Sequence, residues 1–276
     1  TTSKQVCISS KMKHIATFIL CFVLVWATPL QKSSLKEVPI KDIDSRIING
    51  DLAGLGQFPW QAALYANSGS TTYFRCGGSI ISEQWILTSA VCIYGYDTFT
   101  VLVGVIDLNG SGVLAQSSEI IPYYDYDPND FHHYSIGLVK LSTPLAFNRY
   151  VAAITLPENL LEDGTNVTIS GWGSTTDLGD ESQFLLYADL VTIRNSECTA
   201  IYGNILESVV CAKSVTTPVK TACIGDGGDP MVVDINTNPV LVGVLCFLRT
   251  SCESGYPSAF TRTASFRNWI RDTTGV

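Results

Sequence analysis

Aliphatic residues in this chain come in short runs closed off by turn formers, and that pattern limits the possible folds more than any other feature. Thr100-Val101-Leu102-Val103-Gly104-Val105, Leu138-Val139-Lys140-Leu141 and Leu241-Val242-Gly243-Val244-Leu245 are β-branched or aliphatic and bounded by Gly, Pro, Asn and Asp. Runs of that length suit strands, not helices, so an all-β chain is predicted. The exception lies at the C-terminus, where Phe266, Trp269 and Ile270 fall at i, i+3, i+4 and predict one short amphipathic helix. Of 276 residues, the 230 after Arg46 are enough for an all-β barrel protein to form one compact unit with a substantial core.

Six further stretches occur in a fixed order: Ile47-Ile48-Asn49-Gly50, Gln57-Phe58-Pro59-Trp60-Gln61, Cys76-Gly77-Gly78-Ser79-Ile80-Ile81, Trp85-Ile86-Leu87-Thr88-Ser89-Ala90-Val91-Cys92, Ile169-Ser170-Gly171-Trp172-Gly173 and Trp269-Ile270. Cys223-Ile224-Gly225-Asp226-Gly227-Gly228-Asp229-Pro230 joins them before the last. Taken together, residues 47–276 resemble the trypsin and chymotrypsin-like serine proteases. The resemblance implies two six-stranded antiparallel β-barrels, residues 47–157 and 158–276, joined near Pro157.

The catalytic positions depart from the family. Where its nucleophile loop reads Gly-Asp-Ser-Gly-Gly-Pro, this chain has Gly227 for the serine and Asp229 for the second of the two glycines that follow it. Glycine has no oxygen to attack a carbonyl. Val91 stands at the histidine position and Ser135 at the aspartate position, so the general base and the group that orients it are also replaced. A family serine that helps hold the aspartate aligns with Cys246. Removing the carboxylate with its partners lets a buried site repack, so Val91, Ser135 and Cys246 are expected to form one mostly apolar cluster. Gly225 keeps the oxyanion-hole position.

Substrate recognition is altered in the same comparison. Thr221 aligns with the pocket floor, leaving no carboxylate to favour Lys or Arg, and Leu248 and Ser258 align with its walls. Leu248 would crowd an incoming peptide strand. The activation residues remain: Arg46 precedes Ile47 at the family's cleavage point, and Asp226 is available for the ammonium that cleavage would create. They are either a working switch or leftovers of descent.

Residues 1–11 precede Met12 and are read as translated upstream sequence. Residues 12–27 are read as a signal peptide, with Lys13 and His14, an apolar stretch from Ile15 to Trp26 and cleavage after Ala27. About 12 apolar residues are short for a membrane span. Residues 28–46 would be a cysteine-free propeptide that departs if cut at Arg46. The resemblance pairs Cys76 with Cys92, Cys198 with Cys211 and Cys223 with Cys252, which fits an oxidising, extracellular destination. Cys246 is left over, as a buried residue or a reactive thiol.

From Ile47 onward there are 10 Lys and Arg against 22 Asp and Glu, a balance of −12 that argues against nucleic acid and anionic membranes. The stretch from Tyr123 to Tyr134 is rich in tyrosine and acid. It is either a partner-binding loop or a surface loop leading into a core strand. His132 and His133 are adjacent and would point apart on an extended segment, so no metal or other cofactor is predicted. Asn109-Gly110-Ser111 and Asn166-Val167-Thr168 are glycosylation sequons, the former in the more turn-like setting.

Three functional classes follow. The first is a secreted, non-catalytic protease homologue acting as cofactor, scaffold or decoy toward a protease, inhibitor or surface ligand. The second is a constitutive secreted binding or storage protein. The third is a weak endopeptidase using Cys246 or Ser89 with His132 or His133.

Overall fold

The computed structural model describes residues 47–276 apart from Ser70 and Thr250. Residues 12–27 and 28–46, read from the sequence as a signal peptide and a propeptide, lie outside the described residues, Arg46 among them. Seven strands come first: β1 (Asp51–Leu52), β2 (Gln61–Ser68), β3 (Thr71–Ser82), β4 (Trp85–Thr88), β5 (Phe99–Val103), β6 (Val113–Pro122) and β7 (Gly137–Leu141), with the helical turn α1 (Ala90–Ile93) between β4 and β5. Strands β2-β3-β4-β7-β6-β5 close into an antiparallel barrel. The second half carries β8 (Asn166–Gly171), β9 (Leu186–Ile193), α2 (Asn195–Tyr202), β10 (Val209–Lys213), β11 (Pro230–Val233), β12 (Val240–Phe247), β13 (Ser258–Arg262) and α3 (Arg267–Thr274). Its strands run β9-β10-β13-β12-β11-β8, and pairing of β8 with β9 closes a second six-stranded barrel. β1 adds to the edge of β9.

The short runs of the sequence supply the barrel walls. Leu64, Ile80, Ile86, Phe99, Val101, Val139 and Leu141 fill the first barrel, and Val167, Ile169, Leu186, Val210, Met231 and Phe260 fill the second. A separate apolar layer holding Trp60, Leu87, Leu138, Trp172, Val244 and Phe266 carries the core from one barrel to the other. Ile270 of the predicted C-terminal helix is fully buried in that layer. Burying an isoleucine is worth roughly 1.5–3 kcal/mol, enough to dock so short a helix. Gly275, at φ 78°, ends the helix in the left-handed conformation. Among the described residues no helix is long and apolar enough to cross a membrane.

Candidate functional site

The loop 223–230 is pinned to both barrels. Gly77 donates its amide to the Gly227 carbonyl at 2.8 Å, Gly228 donates to Leu245 at 2.8 Å, and Leu245 donates to Asp229 at 2.9 Å. Gly228 needs to be glycine: its φ is +82°, and a Cβ there would collide with the Gly77 carbonyl and Thr88 Oγ1. Gly227 lies over the Cys76–Cys92 disulfide, 3.3 and 3.4 Å from its sulfurs when given a Cβ. Among the described residues, neither the Gly225 nor the Gly227 amide donates to an internal acceptor. Two backbone donors are therefore free beside a position that offers no nucleophile.

α1 brings Val91 to the same place, next to Cys92. Ser135 precedes β7 and is fully buried. Its Oγ lies 2.7 Å from Ser89 Oγ, where either can donate, and accepts from the Val91 amide at 3.2 Å. Thr261 Oγ1 donates to the Ser135 carbonyl at 2.9 Å and also meets the Cys246 thiol. The three replaced positions are thus close together, but the expected apolar repacking does not describe them. The Val91 amide needs an acceptor in this partly buried place, and the Ser135 hydroxyl fills that role. Cys246 Sγ donates to the Ala259 carbonyl at 3.2 Å, and burial pushes its thiol up to about 12.

The end of β12 next to Cys246 is packed in a way the sequence did not show. The His132 ring meets Phe247 edge-on at 4.5 Å, and the Tyr202 ring meets it at 5.2 Å. Burial of His132 holds its pKa below the usual imidazole range. His133 turns away: Nδ1 meets Asp130 at 2.8 Å and Nε2 meets the Asn204 carbonyl at 3.3 Å. Thr221 and Ser258, which the resemblance placed at the pocket, are buried with their hydroxyls 3.1 Å apart. Leu248 is half-buried against the second barrel core.

Asp226 is buried and accepts from the Gly173 amide at 2.7 Å and the Cys223 amide at 2.8 Å. Burial still pushes its carboxyl up to about 6. Asp229 is equally buried and is held by Gln61 Nε2 at 2.5 Å, while Gln61 Oε1 accepts from Ser170. Burial, with Asp226 beside it, pushes Asp229 well above the usual range. Sequence reading missed this carboxyl pair, although an aspartate in place of a motif glycine was its signal.

The disulfides are Cys76–Cys92, Cys198–Cys211 and Cys223–Cys252, with Cys246 free. Asn109 is exposed in a turn, its amide donating to Asp107. Asn166 is exposed too, but the hydroxyl of its sequon partner Thr168 is buried on Asp189 at 2.7 Å. Tyr124 stands out from the acidic loop with 75% of its surface exposed, whereas Tyr126 is buried.

A sequence profile of the Trypsin family matches residues 47–270. The chain belongs to the trypsin family. It is 34% identical over 236 residues to Brachyurin of Leptuca pugilator, an alignment covering 83% of this chain and 99% of that protein. It is 33% identical over 266 residues to Collagenase of Hypoderma lineatum, covering 92% and 98%. The solved structure of HL collagenase superposes with a TM-score of 0.74 at 32% identity, over 83% of this chain and 99% of that one.

Proposed function

We propose that this trypsin-family chain is secreted and acts by binding a protein partner, as a cofactor, scaffold or decoy in extracellular proteolysis, without cutting. The observation that carries this reading is the hydrogen bonding of Ser135 to Ser89 and to the Val91 amide. A hydroxyl has taken over the structural duty of a carboxylate at a place where no imidazole remains to be oriented and no serine remains to be activated. The covering of Phe247 by His132 and Tyr202 supports it, because a peptide substrate would meet that strand end. Three disulfides support an oxidising destination.

The activity in the name of the Hypoderma lineatum collagenase is that protein's own; this chain is read as having lost the corresponding chemistry. An improvised hydrolase has little to work with: Cys246 is a buried thiol with a raised pKa, and Ser89 is committed to Ser135. The activation residues Arg46, Ile47 and Asp226 are read as a cleavage switch that alters partner binding, and Asn109 as the glycosylated sequon.

Capture from the native secretion, with protein intact and cut after Arg46, tests the reading. Partners held only by the cut form support a switched cofactor, and identical partners for both forms point to a constitutive binder. Steady turnover of a mixed peptide library that is lost in Cys246→Ala or His133→Ala would overturn the non-catalytic reading.

A further inference from the structure

Asp226 and Asp229 form a buried carboxyl pair with no cation against it among the described residues. A Cβ on Gly171 would collide with both Asp229 Oδ2 and Asp226 Oδ1, so these two oxygens face each other across the glycine. Asp229 Oδ2 is buried with no N–H or hydroxyl donor at it, and the two carboxyls are within hydrogen-bond reach of each other. The groups around the pair are Gln61 from β2, Ser170 and Gly171 from β8, Gly77 from β3, and the Gly173 and Cys223 amides. None of them titrates. Among the described residues no Lys, Arg or His forms an ion pair with either carboxyl. Two adjacent buried carboxylates cannot both ionise unaided, so the pair retains one proton between them.

A primary ammonium is the natural occupant, and the start of the domain is aimed at the site. Ile48 bridges Thr221 antiparallel, so the chain running back through Ile47 travels toward Ala222 and Cys223. Ile47 is buried in the same core cluster as Ala222, and the Cys223 amide is one of the donors to Asp226.

We propose that Asp226 and Asp229 form a two-carboxyl receptor for the Ile47 ammonium, and that the ammonium enters by replacing the proton the pair shares. The inference rests on the cleavage switch proposed above and adds a second carboxyl and a proton to it. A trypsin-class protease of the surroundings hydrolyses the Arg46–Ile47 bond. Water supplies one carboxylate oxygen of Arg46, and its two hydrogens join the amide's own on the new amine, which is an ammonium at neutral pH. When that ammonium reaches the pair, the shared proton leaves to solvent. One positive charge replaces another, and the net charge of the site stays at −1 before and after. Insertion therefore tightens as pH rises toward the range of the α-amine, by about tenfold per pH unit while the pair holds its proton.

Proton release on cleavage of the full chain tests this. At pH 7 hydrolysis itself is nearly proton-neutral, because the new carboxylate and ammonium offset each other. Cutting by a trypsin-class endopeptidase, checked by N-terminal sequencing, is expected to release about one proton per chain from the wild type and close to none from Asp229→Gly or Asp229→Asn. The new Ile47 amine is expected to resist an amine-acylating reagent in the folded wild type. Equal proton release from all three proteins would overturn the proposal. So would an Ile47 amine that reacts as fast as an exposed terminus, or a bond that resists cutting. None of these readouts depends on partner capture or peptide turnover, so the proposal can fail while the non-catalytic reading stands, and the reverse.

Discussion

Replacing Gly227 with serine distinguishes a site that lacks only its nucleophile from one that has lost the machinery around it. The new Cβ would sit 3.3 Å from Cys92 Sγ and 3.4 Å from Cys76 Sγ, tight enough that the disulfide must give by a few tenths of an ångström. That strain costs about 1 kcal/mol, or about 2–4 °C in Tm for a domain of this size. The hydroxyl would sit over the Cys76–Cys92 disulfide, and Val91, next to Cys92 in the chain, cannot take its proton. A positioned general base contributes about 10²–10⁴-fold, so Gly227→Ser alone is expected to hydrolyse a small activated ester no faster than the wild type. A small ester is the right probe because Leu248 and the rings over Phe247 do not obstruct it. The triple variant Val91→His, Ser135→Asp, Gly227→Ser supplies the base and its orienter. A carboxylate at 135 inherits the present hydrogen-bond partners of the Ser135 hydroxyl, Ser89 Oγ at 2.7 Å and the residue 91 amide at 3.2 Å. Initial rates, normalised by burst titration, should rise about 10²–10⁴-fold over the single variant. If the single variant matched the triple, another group, such as His132, would be serving as base and the reasoning would be wrong.

Ser135→Ala should cost about 1–2 kcal/mol in urea unfolding, because the Val91 amide loses its acceptor while Ser89 can still turn to the Ser135 carbonyl at 3.3 Å. Combined with Ser89→Ala it should cost less than the sum of the two single changes, and strict additivity would show that the hydroxyls do not act together. The acidic pair gives a pH signature. Unfolded carboxyls titrate near about 3.9, whereas Asp226 titrates at about 6 and Asp229 well above the usual range, so the folded chain holds protons longer. Stability from the protonated pair is full below the unfolded values and is lost as pH rises through 6 and beyond. Asp229→Gly should accordingly gain on the wild type in urea midpoint between pH 4 and pH 7, and a gap independent of pH would contradict the assignment. Cys246 should resist iodoacetamide in the native protein and react once unfolded, since the thiol is buried and its pKa is pushed to about 12.

The parts of this molecule that could be read from the sequence are those in which neighbours along the chain determine the outcome. Short runs bounded by turn formers became barrel strands because alternate residues of a run share one face of a sheet, as Leu186, Ala188 and Leu190 do inside β9. The three cysteine pairs also follow the order of motifs along the chain, which needs no coordinates. What could not be read depends on residues far apart in the chain. Ser89 and Ser135 are separated by 46 positions and Gln61 and Asp229 by 168, so neither pairing leaves a local pattern. The expectation of an apolar centre failed for a related reason. Reading side chains alone leaves out the backbone, and the Val91 amide keeps its demand for an acceptor whatever side chains surround it. The same logic runs the other way at Asp229. A carboxyl added beside a buried carboxyl creates a demand for positive charge, and in this chain the Ile47 segment runs toward that site.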